Sequence, residues 1–243
     1  MELIAIAILL VLTAKLSSLR AALFVALFVG VIWYVKPGER TERAPLVVEQ
    51  APEVRQMATS NACRSCHPRA YTTWSRSYHR TMTQRPSGQT VLGDFSQTVS
   101  DGVRRWTMER HGDDFFVEMS AGDVEGKRAK IELITGSHHL QNYWMDLGQG
   151  WLVQFPWAWW ISQRRWIPVD ASFLQPPNTP KSPQVWNDSC IYCHTTKGTR
   201  GASREAQSTR STVGELGIAC ESCHGPGVLH AQKSRSPFDR YLS

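Results

Sequence analysis

The chain has no cysteine to spare. All 6 of its cysteines fall within three five-residue groups, so none remains for a disulfide framework between those groups. It also lacks any continuous apolar run of the roughly 20 residues that cross a hydrocarbon layer; the longest, Ala21–Val35, has 15. Nor is there a block of like charge. Arg64, Arg69, Arg76, Arg104, Arg164 and Arg200 are dispersed, which argues against a nucleic-acid partner. With hydrophobic residues at 42% of 243, the chain is neither disordered nor collagen-like and can bury one substantial core.

What is present is one signature written three times: Cys63-x-x-Cys66-His67, Cys190-x-x-Cys193-His194 and Cys220-x-x-Cys223-His224. A Cys-x-x-Cys-His group is the attachment site of a c-type haem. Its two thiols add to the porphyrin vinyl groups, and the adjacent imidazole is held within reach of the iron as proximal ligand. Zinc and a redox dithiol are the competing readings of a Cys-x-x-Cys pair. Structural zinc wants such pairs in twos, whereas here three pairs each have His in the next position. The expected cofactors are three covalently attached haem c groups, with His67, His194 and His224 on the irons. The formal net charge of +6 fits the same picture, because two propionates per haem would bring roughly −6 in all.

Attachment of haem c after export places residues 60–243 outside a bacterial cytoplasmic membrane. The N-terminus offers a route. Leu3–Ala14 and Ala21–Val35 are apolar, separated by Lys15-Leu16-Ser17-Ser18-Leu19-Arg20. Residues 1–35 read as a membrane anchor. A single uncleaved signal-anchor helix over about residues 16–35 is favoured, with Lys15 and Arg20 as cytoplasmic flanks. A short hairpin would also deliver the domain outside, and a cleaved signal peptide lacks a clear small-x-small site after Val35. Localisation is then the cytoplasmic membrane, with the haem domain in the periplasm.

Residues 36–59 are polar and rich in Pro and Glu, and read as a linker. Residues 60–243 form the triheme domain, with a β-rich insertion at about 91–160. Pro68 opens a helix whose Tyr71, Trp74 and Tyr78 make an aromatic stripe suited to a porphyrin face. Alternation at 103–108, a turn at His111–Asp114, then Phe115–Met119 and Arg128–Ile134 predict a small antiparallel β-meander. A further strand is expected at Trp151–Phe155, an extended loop at Gln175–Pro183, and a polar loop at Thr195–Val213. Gly225-Pro226-Gly227 has the pattern of a type II turn that would swing the following residues back over the iron. The fold class expected is α+β with low regular structure: helices and loops around three haems, a small meander, and an N-terminal transmembrane helix.

Three proximal histidines leave five others for the distal positions. A second His gives a saturated iron that transfers electrons, whereas an open position permits chemistry. His230, three residues past Gly-Pro-Gly, is the first candidate; His79 follows, and the His138-His139 pair can offer one member. His111 beside Gly112 reads as a solvent-exposed turn residue. Met57, Met82 and Met145 are weaker alternatives.

Asn61-Ala62-Cys63-Arg64-Ser65-Cys66-His67, followed by Tyr71, Trp74 and Ser77-Tyr78-His79, resembles the opening of a family of multihaem c-type cytochromes. Val91-Leu92-Gly93-Asp94-Phe95 and the stretch Gly217–His230 resemble it as well. The relatives are the tetrahaem cytochromes linked to hydroxylamine oxidation and the related cytochrome module found ahead of tetratricopeptide repeats. The resemblance covers roughly residues 60–232, with specific ends and a loose middle. It implies a periplasmic electron-transfer module with mostly bis-His haems, and axial roles for His79 and His230. This chain departs from it in having no fourth Cys-x-x-Cys-His group.

The functional expectation is a membrane-anchored periplasmic triheme carrier. It would pass electrons between a membrane complex and another redox partner, with a further multihaem chain as a candidate neighbour. The alternative is a reductase of small nitrogen or oxygen species at a five-coordinate haem. There Trp157, Trp159, Trp160 and Trp166 would wall a pocket, and His138 or His139 with Arg164 or Arg165 would supply protons and positive charge. Ordinary packing is the competing account of those tryptophans. A subunit docked through an aromatic surface is compatible with the carrier.

Overall fold

A computed structural model describes residues 47–49, 56–122, 126–172, 184–203, 208–236 and 238. The chain divides into two units, Met1–Ala44 and Pro45–Ser243, and the first lies outside the described residues. Strands dominate the second. They are β1 (Val47–Glu49), β2 (Thr83–Gln84), β3 (Thr98–Ser100), β4 (Arg105–His111), β5 (Asp114–Ser120), β6 (Arg128–Thr135), β7 (Leu140–Asp146), β8 (Leu152–Gln154), β9 (Trp157–Trp160) and β10 (Arg165–Pro168). The short β11 (Thr195–Thr196), β12 (Ala202–Ser203), β13 (Ser208–Thr209), β14 (Ser211–Val213) and β15 (Glu215–Leu216) follow. Five short helices carry or flank the motifs: α1 (Ser60–Arg64), α2 (Pro68–Ser75), α3 (Cys190–His194), α4 (Cys220–His224) and α5 (Val228–Lys233).

Nine strands form one antiparallel, barrel-like sheet in the order β10-β9-β7-β6-β5-β4-β3, with β2 beside β6 and β8 beside β7. Period-two alternation builds it. On β4 and β5, Trp106, Met108, Phe115 and Val117 turn inward, with Trp106 opposite Met119 and Met108 opposite Val117. They meet Phe95, Ile131, Ile134, Tyr143, Phe155, Trp159 and Trp166 in one core. Each fully buried large side chain there contributes roughly 2 kcal/mol. Phe95 lies edge-on to Phe115, Tyr143 and Trp166 at 5.0, 5.2 and 5.6 Å.

The register of β6 on β7 shifts between Ile131 and Leu133. That bulge sends Leu133 to the opposite face. There it joins Trp144, Leu152, Trp186, Ile191, Val213 and Leu216 in a second core. This second core places the back of the sheet against α3, the helix of the middle motif.

The sheet corrects the expected fold class. In place of a helix-and-loop α+β domain with a small meander, the described chain is mostly β. The expected strands form, but Leu140–Asp146, for which no strand was expected, and Trp157–Trp160, whose tryptophans were read from sequence as pocket walls, extend the meander into a near-closed sheet. The expected localisation and transmembrane helix are corrected likewise: no helix among the described residues is long and apolar enough to cross a membrane. Residues 1–35, to which the sequence reading assigns the anchor, lie outside the described residues, as does the loop at 175–183. The polar loop expected at Thr195–Val213 holds short ladders with buried Thr195, Thr196, Thr209 and Ser211. Their hydroxyls are bonded inside the fold; Thr195 Oγ1 donates to Ile191 O at 2.6 Å and Ser211 Oγ to Arg200 O at 2.9 Å.

Candidate haem-attachment sites

Each motif lies at or just after a helix of five residues. One helical turn brings the first cysteine, the second cysteine and the histidine to one side. In all three motifs the first cysteine is half-buried and the second exposed. Burial, and then the neighbouring Cys220 thiol, push the Cys63 thiol up to about 11. Burial also raises Cys190. His67 and His224 are exposed and His194 is half-buried. Burial lowers the pKa of His194, favouring the neutral imidazole that ligates metals. Its Nδ1 is buried without a protein partner.

The third motif touches both others. Helix α1 packs on α4, and the Cys220 thiol is near enough to raise the Cys63 pKa. Glu215, just ahead of α4, accepts from Ser60 N and Ser60 Oγ, both at 2.9 Å. On the other side, α3 runs into β11, which pairs with β15. Thr196 Oγ1 accepts from Ala219 N at 2.8 Å, meets Ser222 Oγ at 2.8 Å and donates to Gly217 O at 3.0 Å. In space the order is first, third, second.

The distal candidates separate into two places. His230 lies against His67, with ring centroids 6.1 Å apart and planes inclined by 21°. His230 thus lies beside the first motif rather than the third, which it follows in sequence. The turn that carries it is also not type II. Gly227 has φ −102 and ψ −1, the corner of a type I turn, and the positive φ of 73 belongs to Gly225. The two turn types differ by a flip of the peptide ahead of Gly227. Here that amide is held by Glu221 Oε1 at 2.6 Å.

The second place gathers Tyr78, His138 and His139. His138 stacks on Tyr78 at 4.1 Å and contacts His139 at 4.0 Å. Met82 O accepts from Gly136 N at 2.9 Å, joining the two segments. His79 is exposed beside them, and its carbonyl accepts from Ile218 N at 2.9 Å. A Cβ on Gly217 would come within 2.9 Å of that carbonyl and 2.7 Å of Arg80 O, so only glycine lets this segment approach the entry to the third motif. Trp74 Nε1 donates to Ile218 O at 2.8 Å. Tyr71 and Trp74 share α2 at 5.5 Å, whereas Tyr78 lies beyond its end.

His111 ends β4 in solvent beside Glu109. Met145 packs on the sheet core. Of the tryptophans, Trp159 and Trp166 are 5% and 8% exposed within the core, and Trp157 meets Trp106 edge-on at 6.2 Å. Arg165 covers Trp160 at 5.1 Å, and exposed Arg164 occupies the β9–β10 turn at φ 48. Sequence reasoning missed Gln141 and Tyr143, whose buried side chains hold the Val91–Phe95 segment. Gln141 accepts from Leu92 N at 2.7 Å and donates to Thr90 O at 2.9 Å. Tyr143 Oη accepts from Gly93 N at 2.9 Å and donates to Gln141 at 2.7 Å. Their place on a strand with aromatic neighbours gave no sign of that role.

The three Cys-x-x-Cys-His groups lie close together, and each has the spacing that attaches haem c covalently. The family described as cytochrome c554 and c-prime matches residues 175–225, a span that takes in the second and third motifs. The solved structure of the outer cell wall cytochrome OcwA is similar at 16% identity and a TM-score of 0.48, over 73% of this chain and 33% of that one. This chain thus spans about a third of that protein's length. No curated protein matches it.

Proposed function

We propose that the chain is a triheme electron carrier, with haem c at Cys63/Cys66, Cys190/Cys193 and Cys220/Cys223 and proximal His67, His194 and His224. Haem c, when bound, supplies a one-electron iron couple at each site. The observation that carries the reading is the third motif's contact with both of the others. The chain's own residues do the positioning. Ser60 and Glu215 join the first motif to the third, and Thr196 with Ser222 joins the third to the second. His230, whose ring lies beside that of His67, would supply the second imidazole of the first site. His79, with His138 and His139 nearby, is the source of distal imidazoles for the remaining sites. The proposed partners are redox proteins on either side, including a further multihaem chain. The grouping with tetrahaem cytochromes of hydroxylamine oxidation and with modules ahead of tetratricopeptide repeats belongs to the same proposal. An EPR-monitored redox titration tests it. Three low-spin haems titrating within one chain are expected; a chain with one haem, or with none that titrates, overturns it.

A further inference from the structure

The third motif differs from the other two in what stands between its cysteines. Arg64 and Ser65 are exposed in the first, and Ile191 packs in the second core from the middle motif. Glu221, by contrast, is a carboxylate only 9% exposed. A buried carboxylate is costly unless its oxygens are met. One oxygen, Oε1, accepts two backbone amides, Ala58 N at 2.7 Å and Gly227 N at 2.6 Å. Ala58 leads into the first motif, and Gly227 leads into His230. A second tie, Val228 N to Gln56 O at 3.3 Å, runs alongside. A single side-chain atom therefore joins the two strands of chain that end in His67 and His230, and it fixes the peptide that selects the turn before α5.

We infer that Glu221 is a positioning residue for the first haem site, setting the spacing of His67 and His230 and leaving a fixed negative charge beside the Cys63 attachment. This rests on the reading of His67 and His230 as one axial pair. Second-shell groups of this kind orient ligands and tune metals. A buried anion stabilises the ferric form relative to the ferrous one.

The haem-loaded protein carries the test. In E221A, with three haems attached, one haem is expected to pass from low to high spin in EPR and to return to low spin when imidazole is added. E221Q keeps an acceptor oxygen for both amides and removes the charge. All haems should then stay low-spin while the midpoint potential of one moves positive. Should E221A fail to accumulate, E221Q decides alone. H230A separates the two ideas. If H230A leaves every haem low-spin, the axial pairing falls and the role of Glu221 with it. If H230A yields one high-spin haem while E221A yields none, or E221Q moves no potential, the inference about Glu221 alone is overturned.

Discussion

Between Thr83 and Pro168 the large side chains face one another: Phe115, Ile131, Tyr143 and Phe155 are at most 2% exposed. In the segments that carry the motifs Trp186 is buried, but several other ring-bearing side chains face outward. His67, His79, His224 and His230 are exposed, and Tyr78, Tyr192 and Leu229 are 53%, 56% and 70% exposed. The sheet is stabilised by packing among its own residues. The motif segments, short of regular structure, are held by hydrogen bonds between buried carboxylates or hydroxyls and backbone, and they present apolar and imidazole surface suited to a flat aromatic group. One region is a scaffold, the other a lining.

That contrast can be broken in graded ways. The largest effect is expected from replacing Cys190 and Cys193 together by Ser. Pyridine haemochrome assay should fall from three haems per chain to two, while near-ultraviolet circular dichroism of the sheet tryptophans holds. Loss of that tryptophan signal would show that the sheet depends on the lining. Next comes Phe155→Ala in the scaffold, a buried aromatic truncation costing about 3–5 kcal/mol. Denaturant unfolding should register that cost with haem stoichiometry unchanged.

The seam between the regions is Asn187, fully buried. It accepts from Leu152 N at 2.8 Å and donates to Gly150 O at 3.2 Å and Ser211 Oγ at 2.7 Å. Asn187→Ala strands those groups, and a loss of about 1–3 kcal/mol is expected in the same unfolding experiment. The smallest effect concerns reactivity. An ordinary thiol titrates near about 8.5, and Cys63 is raised to about 11. In the haem-free protein Cys63 stays a thiol through neutral pH. Its alkylation should accelerate as pH climbs toward about 11, a pattern that mass mapping of iodoacetamide adducts would reveal.

The attachment chemistry was legible because it is local: Cys-x-x-Cys-His needs one helical turn and nothing else. The β4–β5 hairpin was legible for the same reason, since Gly112-Asp113 between alternating runs marks a turn. The near-closed sheet was not, because the pairing of β7 with both β8 and β9 joins segments whose aromatic runs lack clean alternation. The membrane anchor was inferred from two interrupted apolar runs, and the correction came from the helices among the described residues, none of which has such apolar length. The neighbour of His230 was hidden as well. Sequence distance points it at the third motif, and only the bonds of Glu221 to both Ala58 and Gly227 turn it toward the first. Long-range contacts decide those features, and no short window of sequence contains them.

The central claim is three covalent haems on one chain. Mass spectrometry of the mature polypeptide, paired with peptide mapping, measures it directly. The account predicts the added mass of three haem groups, one on each of the peptides bearing Cys63/Cys66, Cys190/Cys193 and Cys220/Cys223. Unmodified cysteine pairs, or pairs carrying zinc or disulfides, would contradict it.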